Sequence, residues 1–207
     1  MGPAEAAALA VRLRSAVGDE RVLGVIASTP RDRFVPLSER SRAYENVALP
    51  IACGQTISQP LVVARMLETL QLQPEDRVLD IGTGSGYHAV LLARLVRHVW
   101  TIERHPRLSA AAQDAAASLG IDNITFEVGD GCQGLPEQAP FDAINVAAAA
   151  GESVAETLER QLAPGGRLVM PIGESDQHLM LSRRTPDGIL RFKLEPVRFV
   201  PLVPGPG

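Results

Sequence analysis

Residues Val78 to His88 read VLDIGTGSGYH: an apolar run closes on Asp80, three alternate glycines follow (Gly82, Gly84, Gly86), and the helix-compatible HAVLLARLV begins. That is a strand, a tight turn and a helix. Glycine suits such a turn because backbone must approach a ligand closely and some positions need φ > 0. A plain strand-to-helix turn would use glycine too, so the context decides. About twenty residues on, HVWTIE is a second apolar strand ending in Glu103, whose carboxylate can accept both hydroxyls of a ribose.

Two nucleoside cofactors share this layout. The dinucleotide fingerprint wants a third small residue where Tyr87 stands. It also seats a pyrophosphate at the helix N-terminus, which a carboxylate at Asp80 would repel. S-adenosylmethionine carries a sulfonium and an ammonium, which Asp80 would attract. The residues favour S-adenosylmethionine.

The next strand, ITFEV, runs into Gly129-Asp130-Gly131. Asp130 is placed to bond an adenine amino group, although a simple Gly-Asp-Gly turn reads the same way. After the strand Phe141 to Val146 come small residues, Ala147 to Ala150, which serve either tight packing or a shallow floor for a substrate chain.

Strand and helix alternate: β Val78–Ile81, α Gly86–Leu95, β Val99–Ile102, α Pro106–Leu119, β Ile124–Val128, β Phe141–Val146, α Ser153–Leu162 and β Arg167–Met170. Such alternation predicts an α/β, Rossmann-like domain with a mostly parallel sheet and helices on both faces. Two helices, Ala4 to Arg14 and Glu20 to Ala27, precede it as an extension placed to cover the cofactor. After it, HLMLSRR, a turn at Thr185 to Gly188 and ILRFKLEPVRFVPLV predict antiparallel strands. Pro204 to Gly207 is expected to fray. One domain, 1–207, thus divides into an N-terminal extension with an active-site loop (1–60), a cofactor core (61–175) and C-terminal strands (176–207).

With 207 residues, a net charge of −4 and pI ≈ 5.6, the chain carries no electrostatic footprint for nucleic acid. The basic residues of RDR and HPR read as solvated surface. No apolar run approaches membrane-spanning length and the start lacks a secretory pattern, so a cytoplasmic location is expected. Cys53 and Cys132 form no CxxC element and read as free thiols, with an oxidation-sensitive pair as the other reading, since both flank the presumed site loops. His88, His98, His105 and His178 show no metal-ligand spacing, and His88 reads as a surface or cofactor-rim residue. No metal is expected.

Upstream, from Gly54 to Pro60, stands GQTISQP. Ser58 reads blandly as an N-cap, because Pro60 suits a first helical turn and Val63, Met66, Leu67 and Leu70 give a buried stripe. With this motif added, the chain resembles the protein-L-isoaspartate O-methyltransferases. The matching stretches are PRDRFVP (Pro30 to Pro36), AYENVALPI with GQTISQP, VLDIGTGSGY, TIER, GDG, QLAPGGRLVMPIG and RFVPL, which cover nearly the whole chain in order.

The resemblance implies methyl transfer from S-adenosyl-L-methionine, leaving S-adenosyl-L-homocysteine, to the α-carboxylate of L-isoaspartyl residues in proteins and peptides. The ester then collapses through a succinimide, which repairs aged protein. It implies Ser58 as the active-site residue and Gln55, Thr56, Ile57 and Ser58 as a cofactor-side loop. It implies Asp80, Gly82, Gly84, Gly86, Glu103, Asp130 and Gly131 as the cofactor site, and Ser58, Gln59, Ala148 and Val203 as acceptor contacts. A monomer is expected. Cys132 departs from the usual pattern, as do Asn145 to Ala148 and Gly151, near the expected substrate wall.

A carboxylate acceptor agrees with the residue chemistry. It is ionised near neutral pH and needs no general base, so the site must align reactants and exclude water. Ser58 suits a hydrogen-bond donor rather than a nucleophile. The competing readings are an enzyme dedicated to one aspartyl or isoaspartyl peptide, an NAD-binding oxidoreductase or regulator, an adenine methyltransferase and a cofactor-binding module without catalysis.

Overall fold

The computed structural model describes residues 2–205 and 207. Helices α1 (Pro3–Leu13) and α2 (Glu20–Ser28) lead through 3-10 turns into a two-stranded hairpin, β1 (Leu49–Pro50) and β2 (Thr56–Ile57). Helix α3 (Pro60–Leu70) follows, then β3 (Arg77–Ile81), α4 (Tyr87–Ala93), β4 (His98–Glu103), α5 (Pro106–Ser118), β5 (Ile124–Val128), β6 (Phe141–Val146), α6 (Glu152–Glu159), β7 (Leu162–Ile172), β8 (Gln177–Thr185) and β9 (Gly188–Val197). The seven strands β3 to β9 build one sheet in the order β5-β4-β3-β6-β7-β8-β9. It is parallel from β5 to β7 and antiparallel from β7 to β9.

The strands are apolar on both faces because both faces are covered. Alternation sorts their side chains: Val78, Val99, Ala143 and Val169 join α1 to α4 on one face, while Leu79, Ile144, Leu168 and Met170 meet α6 on the other. The predicted stripe Val63, Met66, Leu67 and Leu70 is buried, as are Leu9 and Leu13. Each such aliphatic side chain is worth about 1.5–3 kcal/mol when fully buried.

Four expectations change. The strand expected at Arg167–Met170 starts at Leu162, because Pro164 to Gly166 bulge without leaving the pairing with β6. Helix α4 stops at Ala93 instead of Leu95, where Leu95 N–H turns back to the Leu92 carbonyl at 2.8 Å. The N-terminal helices pack with α3 and α4 in the core on one face of the sheet and line neither side of the cavity, which the chain after them reaches through Gln55 and Thr56. The C-terminal tail is tied down rather than frayed: Leu202 N–H donates to the Ala149 carbonyl (2.7 Å) and Gly207 N–H to the Arg104 carbonyl (2.9 Å). Pro206 lies outside the described residues.

Candidate active site

Strand order reverses between β3 and β6, and an open α/β sheet takes its ligand in the crevice beyond the carboxyl ends of such strands. Gly82 follows β3 and Ala147 follows β6, and a Cβ on Gly82 would sit 3.7 Å from Ala147. The three loop glycines all have positive φ (87°, 53° and 83°), a conformation that L side chains rarely adopt. Gly86 has a second reason. An added Cβ there would stand 2.8 Å from that of Ala112, so this glycine lets the loop pack on α5.

Glu103, at the end of β4, is buried and accepts hydrogen bonds from Gly84 N–H (2.9 Å) and His105 N–H (3.0 Å). A carboxylate can accept about four, so capacity remains on the side facing the cavity. That cavity is lined by Gln55, Thr56, Gly82, Gly84, Glu103, Gly131 and the tail segment Val200–Val203. Gly131 must be glycine, since a Cβ would fall 2.6 Å from Ile81. Close backbone, an anionic edge and no room for a side chain fit a nucleoside whose ribose diol meets Glu103.

Beside it runs a groove of about 650 Å³ lined by Ser58, Gln59, Val62, Arg198 and Phe199. Thr56, Ala147 and Val200 line both cavities. The two therefore meet, and Ser58 stands on the groove side of the junction. Ser58 is not the helix cap: Gln59 holds that position without a side-chain bond, and Asn46 Oδ1 accepts from Leu61 N–H at 3.0 Å. Its hydroxyl is left free among the described residues.

Other expected residues sit elsewhere. Asp80 is fully buried below the glycine loop, one oxygen accepting from Thr101 Oγ1 (2.8 Å) and the other from Asn145 Nδ2 (2.7 Å). Burial pushes its carboxyl up to about 6, against the lowering effect of those bonds. It faces these partners and does not line the cavity. Asp130 caps its own turn through Cys132 N–H (2.9 Å), while the neighbouring Gly131 lines the cavity. Ala148 and Val203 line the nucleoside side and not the groove. His88 is buried, not a rim residue, and burial lowers its pKa to about 3. Cys132 is buried with a thiol pushed up to about 11 by burial and then by Asp130, whereas Cys53 is exposed.

The family profile of protein-L-isoaspartate(D-aspartate) O-methyltransferase matches residues 5–206. The chain belongs to this family. It is 53% identical to a protein-L-isoaspartate O-methyltransferase of Roseiflexus castenholzii over 93% of this chain and 88% of that one. With the relative from Parvibaculum lavamentivorans it shares 50% identity over the same shares of each chain. It superposes with a TM-score of 0.84, at 29% identity, on a Plasmodium falciparum structure named for the same activity in complex with S-adenosyl-L-homocysteine, covering 96% of this chain and 98% of that one.

In this methyltransferase two framing residues escape sequence reasoning. Arg31, read as solvated surface, is fully buried. Its guanidinium donates to the carbonyls of Ala43, Val47 and Ser58, and burial lowers its pKa to about 10, so it stays charged at neutral pH. Across the groove, buried Gln177 holds Phe199 at two points, accepting from its N–H (2.6 Å) and donating to its carbonyl (3.2 Å). No local pattern marks Gln177. Arg31 at least lies within PRDRFVP, a stretch whose resemblance extends beyond the cofactor fold.

Proposed function

We propose that this chain uses S-adenosyl-L-methionine to methylate the α-carboxylate of L-isoaspartyl residues in proteins and peptides, and so begins their repair through a succinimide. The observation that carries this is the meeting of the two cavities at Thr56, Ala147 and Val200. A donor held against Glu103 and the glycine loop would present its methyl group where the Ser58 groove opens. The bound donor supplies an activated methyl group; the chain supplies position.

Ser58 donates its hydroxyl proton as a hydrogen bond to one oxygen of the acceptor carboxylate. That carboxylate is already ionised, so no side chain removes a proton from it. Gln55, Thr56 and Ile57 carry Ser58 along the boundary between the cavities. Val62, Phe199 and Val200 narrow the groove and limit water, which strengthens the alignment on which such a transfer depends.

General repair is favoured over a dedicated substrate. Of the unusual segment 145–151, only Ala147 lines the groove. Asn145 is turned inward to Asp80 and Gly151 is the N-cap of α6, so these two departures do not reshape the substrate wall. We place the enzyme in the cytoplasm as a monomer that needs neither nucleic acid nor membrane. Among the described residues no helix is long and apolar enough to cross a membrane.

The test is a methyl-transfer assay with matched isoaspartyl and aspartyl peptides in several flanking sequences. The isoaspartyl α-carboxylate lies one methylene nearer the backbone nitrogen, and a displacement of about 1 Å can cost on the order of a hundredfold. Strong preference for isoaspartyl across the set is expected. Equal turnover of aspartyl peptides, or activity on one sequence alone, would overturn general repair.

A further inference from the structure

Below the junction lies a recess of about 40 Å³ whose walls include Ser58, Thr83, Tyr87 and His88. The Tyr87 hydroxyl and His88 Nε2 are both buried and have no hydrogen-bond partner among the described residues. The bonds behind His88 fix its tautomer. Asp80 lies laterally between Thr101 on β4 and Asn145 on β6, in direct register with each. An ionised carboxylate only accepts, so Asn145 must turn its Nδ2 toward Asp80. The same Nδ2 lies 3.4 Å from His88 Nδ1, which makes that ring nitrogen the acceptor. The neutral imidazole then carries its proton on Nε2, a donor on the wall of the recess.

We propose that His88 is a positioning residue for Ser58, acting through one water held in this recess. The chain of donors runs one way: Asn145 Nδ2–H to His88 Nδ1, His88 Nε2–H to the water, the water to Ser58 Oγ, and Ser58 Oγ–H to the acceptor carboxylate. A hydroxyl that accepts from behind is turned to donate ahead. The volume suits a single water, which needs two to four polar partners, and Ser58, His88 and Tyr87 supply them. The lowered pKa of His88 is consistent with a ring that stays neutral while the enzyme works. The inference rests on the reading of Ser58 as a hydrogen-bond donor to the substrate.

Two measurements test it. Long-range ¹⁵N–¹H correlation spectra of the unaltered protein at pH 7 to 8, where Asp80 is ionised, should show His88 as the Nε2–H tautomer, and an Nδ1–H tautomer or an imidazolium would overturn the proposal. Then His88→Leu and His88→Gln are compared in the presence and absence of Ser58→Ala, with S-adenosylhomocysteine affinity measured alongside. His88→Leu should lower kcat/KM for an isoaspartyl peptide by roughly 3- to 10-fold, the scale of one hydrogen bond. His88→Gln, which keeps a donor, should recover most of that loss. In the Ser58→Ala background His88→Leu should have no further effect, which a merely structural role would not reproduce. An equal loss in both backgrounds, or loss of S-adenosylhomocysteine affinity, would refute the relay. If Ser58→Ala itself changes nothing, it is the reading of Ser58 that fails.

Discussion

The two sides of the crevice are built by different means. On the nucleoside side, backbone does most of the holding: Gly82 N–H donates to the Ile102 carbonyl (3.0 Å), and Glu103 gathers the amides of Gly84 and His105. The bonds from Gly82 and Gly84 tie the loop after β3 to the adjacent parallel strand β4, and that from His105 is local. On the acceptor side, long side chains reach in from distant sequence, Arg31 to the Ser58 carbonyl and Gln177 to both backbone groups of Phe199. One side follows from the fold. The other is stretched over it by a few polar residues, each bonded to a backbone group that any residue would offer.

Arg31→Met should break that contrast most severely. It removes a buried cation and leaves the carbonyls of Ala43, Val47 and Ser58 without their donor. Hydrogen bonds to charged groups are worth about 1.5–3 kcal/mol each and are not additive, so a loss of at least about 3 kcal/mol in urea unfolding is expected. Under conditions where the variant stays folded, isoaspartyl methylation should fall more than about tenfold while S-adenosylhomocysteine affinity changes by less than about threefold. Equal losses of transfer and affinity would mean that the two sides are one cooperative unit.

Glu103→Ala is the converse and should have a smaller effect. Loss of hydrogen bonds to a carboxylate costs about 1.5–3 kcal/mol, so calorimetry should show S-adenosylhomocysteine binding weakened roughly 10- to 150-fold. At saturating donor the peptide KM should be unchanged. Unchanged affinity in a folded variant would remove Glu103 from the ribose site.

How far each side could be read from sequence follows the same division. The glycine loop, β3 and β4 were legible because glycine spacing, apolar runs and a terminal carboxylate are local signals, and the stripe on α3 is periodic. The face that Asp80 takes is not legible, because a position near a strand end does not say which way its side chain turns. Alternation put it with Thr101 and Asn145, under the loop. Arg31 looked like surface because arginine usually is, and its burial depends on three carbonyls brought together only in the folded chain. The anchoring of the tail is hidden for a similar reason, as Leu202 and Gly207 bond to backbone groups far away in sequence.

The smallest effect expected lies beneath the junction, where Asp80 and His88 share Asn145. His88 has a folded pKa of about 3, lowered by burial from 6.5. As pH falls below 6.5 the unfolded chain takes up this proton first, and stability is lost at about 1.4 kcal/mol per pH unit down to pH 3. Asp80 has the opposite sign. Its folded pKa is raised by burial from 3.8 to about 6, so the folded chain takes up the proton first, and stability rises by about the same amount per unit between pH 6 and 3.8. Within that window the two slopes oppose and the pair contributes almost no net pH dependence. Urea unfolding at pH 7, 6, 5 and 4 should therefore show the unaltered protein between its variants: Asp80→Asn losing stability more steeply toward acid, and His88→Gln losing it less steeply. Other titrating groups are common to all three proteins and drop out of the comparison. Parallel curves would show that neither group holds the protonation state its burial implies, and the polar row under the junction would then be indifferent to charge.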